Sequence, residues 1–557
     1  MILATVLAGA TQTVLGASSD GIDCHQSTDP RGSSWRFDQP LSNTTSNFIF
    51  DGVSSLLQQW GNTRYRNGRT LGHNIVPGVV PIGTLLYHGT SKNVIPSTPE
   101  WVATDHEHSH IFCKEITEAG GCWMLTLAVK RPLKVLYFDG SSSAKVYGTM
   151  DTQDLIIRGF VDDRMVWEEE DRIRRLCDWG TKYGLHGFVR MQPNFEIMLC
   201  DFTNGLDVVS FNNITPPWPY IPYSPHPPIL SPPAKSRSSI LLAAHRLLES
   251  GHWHNRYPGE TRVKLDLSGL VSLYDPELFP DLQRARKGQD RWEHRVGNIT
   301  SEKRNALLAR LDEVLSRRQG QSGVDWSSIF RAVIHRYAER LEVLHYMTSA
   351  TPRSRTGFDG DIDSQLRDVH EYVSSMLAPY ILNKVRPPSN RDQIEGKSPH
   401  SWAIPVFEAC ATTHTKGIAE SSLTRSEVLL FRAVNDVLRE TCRVLVGIWA
   451  QGAEIGLDKK RSPPELHLPA DGFLEEVAES WSGRLDSLMG WLDWSVWVKC
   501  KPGCSFEETC YLPTWPYLRG GMVPGPAFPP SPKDDDDDYW QRPQPRCIRR
   551  IQPLEIP

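Results

Sequence analysis

Prolines fall so densely from Pro216 to Pro233, within the run ITPPWPYIPYSPHPPILSPP, that neither a helix interior nor a central strand can pass through them. A chain carrying such a segment must fold on either side of it, and 557 residues is in any case more than one compact core accommodates. Trp218, Tyr220 and Tyr223 stand among the prolines. Free linkers favour Ser and Gly, so these rings mark a strap laid across a surface. The expected division is a folded region at 18–213, a Pro-rich connector at 214–238, a second folded region at 239–499 and a Cys/Pro-rich tail at 500–557.

Before the connector, strand-like runs alternate with helical ones. Gly83 to His88, Met124 to Val129 and Leu133 to Phe138 read as strands, Pro132 separating the last two; Gly187 to Arg190 and Phe195 to Phe202 read as a closing pair. Helices are expected from Asp105 to Cys113 and from Trp167 to Tyr183, with Gly184 as C-cap. That mixture predicts an α+β fold. After the connector, apolar residues recur at helical spacing. Leu307, Leu308, Leu311 and Val314 form one stripe ending at Gly320; Ile329, Phe330, Val333, Tyr337, Leu341 and Leu344 form the next; Leu366, Val369, Val373 and Met376 form a third. Thr424-Arg425-Ser426-Glu427 has the capping-box pattern and opens the longest stripe, through Val428, Phe431, Val434, Leu438, Leu445 and Ile448. One-sided helices in series bury their stripes against one another, so a mainly helical region is expected, with these residues as core. No fixed period repeats, and a solenoid is not supported.

With 61 basic against 66 acidic residues, no global field draws the chain to nucleic acid or to an anionic membrane. No stretch is long and apolar enough to span a bilayer. Residues 1–17, with Ile2, Leu3, Val6, Leu7, Val14 and Leu15, resemble a secretory signal, although the segment lacks a basic start and Thr11, Gln12 and Thr13 interrupt it. The expected location is therefore secreted, and Asn43, Asn213 and Asn298 head sequons that would accept glycans on that route. Eleven cysteines agree with it. Cys500, Cys504, Cys510 and Cys547 crowd a Pro-rich end with no visible core, which suits disulfide stapling. A zinc knot is the rival, but the spacing lacks the repeated short pairs of a zinc ribbon. The odd total leaves at least one thiol free or paired to another chain, and Cys177 or Cys442, in helical patterns, would simply be buried.

Chemistry concentrates in the first region. Tyr87-His88-Gly89-Thr90-Ser91 ends an apolar run; Glu100-Trp101-Val102-Ala103-Thr104-Asp105 leads into a helix; Lys182-Tyr183-Gly184-Leu185-His186-Gly187-Phe188-Val189 follows, then Asn194-Phe195-Glu196. In this order the motifs resemble the histidine-tyrosine-glutamate branch of the ADP-ribosyltransferase superfamily, over about residues 80 to 210, roughly a quarter of the chain. The whole chain is also similar to an uncharacterised family of secreted fungal proteins, which supplies no activity.

The superfamily resemblance implies an NAD site. His88 would contact the nicotinamide-side ribose, Gly89 would let NAD approach the backbone, Thr90 would belong to the same cofactor-binding set, and Trp101, where that branch usually has tyrosine, would stack on nicotinamide. Glu196 would be the catalytic carboxylate, because cleaving the nicotinamide–ribose bond leaves positive charge on the sugar that an adjacent carboxylate stabilises. It could also orient a water or another acceptor, making the reaction NAD hydrolysis or ADP-ribosyl transfer. Asn194 replaces the Glu or Gln that arginine-modifying relatives carry two residues before the catalytic glutamate, so an arginine acceptor is not supported. NAD is the expected substrate and no metal is expected. Taken singly, each residue has a plainer reading: His88 as a strand-end histidine satisfied by a carbonyl, Glu196 as a solvent-facing group on an edge strand. The alternative for the whole region is an inactive domain kept as a binding or structural module.

A competing motif lies inside the same region. His106-Glu107-His108-Ser109-His110 satisfies H-E-x-x-H, so that on a helix His106 and His110 could hold zinc with Glu107 as base. Cys113 stands where one zinc-protease class has Gly, and no Glu follows at roughly twenty residues, so a zinc hydrolase is the least favoured reading. Two further patterns are read as solvated surface: Glu168-Glu169-Glu170 followed by Arg172, Arg174 and Arg175, and the acidic run Asp534 to Asp538.

Overall fold

A computed structural model describes residues 37–41, 45–56, 72–113, 121–140, 142, 148–191, 194–217, 242, 245–250, 262–297, 299–317, 322–349, 361–388, 400–458, 472–511 and 544–554. Residues 1–17, Cys24, Asn43, the strap rings Trp218, Tyr220 and Tyr223, Asn298, Gly320 and the acidic run lie outside them.

The fold is α+β. Its sheet comprises β1 (Asn74–Val80), β2 (Leu85–Thr90), β3 (Glu100–Ala103), β4 (Cys122–Val129), β5 (Leu133–Phe138), β6 (Gly187–Met191), β7 (Phe195–Leu199), β8 (Leu206–Ile214), β9 (Lys264–Leu265) and β10 (Val271–Ser272). The spatial order is β10-β1-β5-β6-β7-β3-β2-β4-β8, with β9 also on β1. Only β5 and β6 run parallel; the other pairs are antiparallel. β7 stops short of the expected Phe202 because the Asp201 carboxylate accepts the Thr203 amide at 2.7 Å and turns the chain. β1 escapes the sequence pattern because Pro77 and Gly78 interrupt it, and β8 because its residues are mostly exposed.

Alternation along the strands buries both faces. Val76, Val80, Val135, Tyr137, Val189, Ile197 and Leu199 join the core shared with the long helices. Their neighbours Ile75, Leu136, Phe138, Phe188 and Met198 join a second core with α3 (Asp151–Ile157), α4 (Glu169–Gly180) and the helix Ser301–Ser316. Before these in the chain come α1 (Ser46–Ser55) and α2 (His106–His110), the latter shorter than the expected 105–113. α4 continues as a tight turn over Thr181–Tyr183 and ends on Gly184 at φ 65°, the left-handed cap expected of it.

The remaining helices are α5 (Pro280–Arg286), α6 (Ser301–Ser316), α7 (Trp326–Ser349), α8 (Ile362–Leu377), α9 (Ile404–Thr412), α10 (Arg425–Glu454) and α11 (Phe473–Leu492). α10 packs against α1, α8, α9 and α11. Its start has the full capping box: Thr424 Oγ1 accepts the Glu427 amide, and Glu427 Oε2 accepts the Thr424 amide at 2.8 Å.

Packing crosses the compositional boundary at 214–238 in both directions. β9 and β10 pair with β1, and Leu307, Leu311 and Val314 of α6 pack in the second core beside the sheet. In the other direction α1 sits among the helices: Ser46 Oγ donates to Asp436 at 2.6 Å, Asn47 donates to the Trp491 carbonyl, and buried Asp51 pairs with Arg291 at 2.7 Å and accepts the Ser495 amide. The described residues on the two sides of the prolines therefore share both cores.

Disulfides join Cys113–Cys122, Cys177–Cys200, Cys410–Cys442, Cys500–Cys510 and Cys504–Cys547. Cys177 and Cys442 are therefore bonded, not lone buried thiols; helical spacing identifies the face a cysteine occupies but not its partner across the fold. The tail bridges hold β11 (Glu508–Tyr511) against β12 (Arg546–Arg549). Among the described residues, the only His, Cys, Asp or Glu cluster compact enough for a metal is Cys500, Cys504 and Cys547, whose sulfurs are all committed to disulfides. No described helix is long and apolar enough to cross a membrane.

Candidate functional site

β2 and β3 share one register pair, Tyr87 with Ala103, and then part. A cavity of about 460 Å³ opens there, closed by the 91–98 segment and α2, and lined among others by His88, Gly89, Thr90, Trp101, His108 and Glu196. β3 lies between β2 and β7, so the strands carrying His88, Trp101 and Glu196 are immediate neighbours.

Glu196 is 3% exposed on an interior strand, opposite Arg190 of β6 and Ala103 of β3. Both of its oxygens have partners. His108 Nε2 meets Oε1 at 2.7 Å, and Arg190 Nε donates to Oε2 at 2.5 Å. Burial pushes against its charge, but the Arg190 guanidinium and the His108 hydrogen bond outweigh that penalty and hold the carboxyl down to about 2. Because the folded pKa lies below the ordinary 4.5, the stabilisation is complete above that pH and is lost as pH falls from there through about 2. Urea unfolding between pH 6 and pH 2 should show an acid loss in the wild type that is smaller in Glu196→Gln; equal slopes would contradict it.

Arg190 binds more than Glu196. Its Nη1 donates to Glu169 at 3.0 Å, and its guanidinium carbon lies 3.8 Å from the centre of the Trp101 ring. One face of the indole is thus covered by a cation, while Trp101 also borders the cavity. The charged run at the start of α4 is not simply solvated surface: Glu169 holds Arg190, Glu170, though exposed, borders the cavity, and Arg172 is fully buried against Asp154 at 2.7 Å. Only Arg174 and Arg175 have the exposed pairing expected, both with Asp171. Glu168 and Glu170 are exposed as expected, whereas Arg172 is covered by α3 and Glu169 turns to Arg190 of β6.

The other expected site residues take different positions. Tyr87, Ala103 and Glu196 share a face by register, so the next residue, His88, turns to the opposite face, with Leu86. There its ring packs edge-on to Phe202 at 5.4 Å, and Nδ1 meets the Trp101 carbonyl at 2.7 Å across the parted strands. Burial lowers its pKa, although the Trp101 carbonyl works the other way. Gly89 is required by α2: a Cβ there would lie 2.1 Å from the Ser109 carbonyl oxygen. Thr90 Oγ1 accepts the Lys92 amide at 3.2 Å. Asn194 is buried and structural, accepting from Thr104 Oγ1 and the Phe195 amide and donating to the Ser250 carbonyl.

The H-E-x-x-H residues do not converge. His110 Nε2 meets the Thr215 carbonyl at 2.8 Å, exposed His106 lies against the Tyr87 ring, and neither belongs to a cluster of described residues compact enough for a metal. Asp105 caps α2 by accepting the Glu107 and His108 amides, which turns the middle histidine inward. His108 and Arg190 are therefore site residues that the motifs passed over. Arg190, two strand positions beyond Phe188 and facing a glutamate, offered only a weak signal; His108 offered none beyond its place inside a metal motif.

Residues 36–121 and 114–226 match the model of the YPL277C N-terminal domain, a span that includes the strands of His88, Trp101 and Glu196. The chain is similar to two proteins of Saccharomyces cerevisiae. Identity to Uncharacterized protein YOR389W is 23%, covering 88% of this chain and 84% of the relative. For Uncharacterized protein YPL277C it is 27%, covering 64% of this chain and 85% of the relative. These likenesses support an uncharacterised fungal family and bring no activity with them.

Proposed function

We propose that the cavity binds NAD and that Glu196 promotes cleavage of the nicotinamide–ribose bond. The observation that carries this reading is that Trp101 and Glu196, on neighbouring strands, border one cavity with His88, Gly89 and Thr90 at its edge. The C–N bond breaks with its electron pair leaving on nicotinamide, the sugar carbon becomes cationic, and the Glu196 carboxylate stabilises that charge. Water or an acceptor then adds to the sugar carbon and releases a proton. Water gives NAD hydrolysis; another nucleophile gives ADP-ribosyl transfer. The five disulfides fit an oxidising, secretory setting, and we adopt a secreted protein as part of the reading.

Nicotinamide release from NAD by the purified protein tests the reading. Glu196→Gln should lower the rate about 10²–10³-fold, while His106→Ala should not. No release and no NAD binding would sink the proposal. A second reading, a ligand-binding module without chemistry, is favoured by one observation: Arg190 and His108 engage both Glu196 oxygens, and Arg190 covers one face of Trp101. NAD binding without nicotinamide release would select it.

A further inference from the structure

We propose that His108 is a positioning residue for Glu196, fixing the carboxylate that acts on the sugar. This rests on the role given to Glu196 above. Four separate restraints converge on the short helix that carries the imidazole. Asp105 caps its start; Ser109 Oγ donates to the Tyr87 carbonyl at 2.6 Å; Gly89 leaves room for the Ser109 carbonyl; and the Cys113–Cys122 disulfide ties the segment after the helix to β4. A five-residue helix has little stability of its own, so these restraints are what hold it in place.

What the helix delivers to Glu196 is the His108 side chain. His108 is fully buried and meets Glu196 Oε1, while its neighbours His106 and His110 turn elsewhere. Arg190 fixes the other oxygen from the opposite side. A carboxylate held by one oxygen can rotate about its last bond; held by both, it keeps its plane and presents its remaining lone pairs in a fixed direction. Arg190 supplies charge and His108 supplies the second point of attachment. Other charged groups near this pair include Glu169, bonded to Arg190; Arg172, whose charge is felt at Arg190; and Lys92, Glu100 and Glu170 on the cavity wall.

The test uses the full chain with His108→Phe, which removes the N–H at similar bulk, and His108→Gln, which keeps an N–H donor. The Glu196 carboxyl is followed by ¹³C NMR, assigned by difference from Glu196→Gln, and nicotinamide release is measured against pH. His108→Phe should raise the Glu196 titration, and with it the acid limb of the rate, by about one pH unit or more. It should lower kcat about tenfold or more with KM changed less than about threefold, and His108→Gln should restore part of both. An unmoved Glu196 titration in folded His108→Phe overturns the proposal, as does a moved titration with unchanged kcat. Should the wild type release no nicotinamide, the proposed reaction fails, and the carboxyl titration alone then decides whether His108 holds Glu196.

Discussion

Arg190→Ala is expected to cost about 3–5 kcal/mol of stability. The guanidinium is buried and satisfies two carboxylates, Glu196 and Glu169, while its flat face covers Trp101. Deleting it leaves Glu196 buried without the Arg190 charge that most favours its ionised form, so Glu196 should take up a proton at a pH where the wild type is ionised. Urea or guanidinium unfolding measures the loss, and a double change separates its parts. Combining Arg190→Met with Glu196→Gln removes both charges, and the pair should be less destabilised than the sum of the single changes. A loss below about 1 kcal/mol for Arg190→Ala would mean that the network carries little of the native stability.

Gly89→Ala should produce the second large effect, for a steric reason. The new Cβ would lie 2.1 Å from the Ser109 carbonyl oxygen and 3.2 Å from Cys113 Cβ. The nearest atom is backbone and cannot move aside as a flexible side chain can, so α2 must shift as a unit. About 1–3 kcal/mol is the expected cost. The effect should extend beyond stability: displacing α2 draws His108 away from Glu196, so under the proposed reaction NAD affinity or turnover should fall more than the folded fraction does. Activity lost only in proportion to unfolding would show that α2 can move without disturbing the carboxylate.

Much of the sheet was legible in the residues. The runs read at Gly83–His88, Met124–Val129, Leu133–Phe138 and Phe195–Phe202 overlap β2, β4, β5 and β7 because most of the sheet is buried on both faces, and Gly184 marks a helix end because its left-handed backbone closes the last turn after α4. The Thr424 capping box was equally local and equally readable. What was illegible is what depends on partners distant in the chain. Nothing in the prolines of 216–233 reveals that Val271 pairs with Ile75, or that Cys410 reaches Cys442. In the site, Glu196 and Trp101 could be singled out because each stands in a motif. His108 could not be distinguished from His106 and His110 until the cap at Asp105 set the helix rotation. His88 shows the converse limit: its motif is plain, but the alternation of β2 turns its ring away from the face of Glu196.

The span of α1 across the chain has a consequence for synthesis. Asn47 bonds to the carbonyl of Trp491, 444 residues later, and Asp51 receives the Ser495 amide. On a ribosome, this early helix would emerge with its apolar side uncovered and wait for α7 and then α10 to be made. The strand at Asn74–Val80 likewise waits for Lys264–Leu265 and Val271–Ser272 before its outer edge is closed. A copy truncated before Arg425 would lack α10, the main cover of α1, and would leave that surface exposed as a target for quality control.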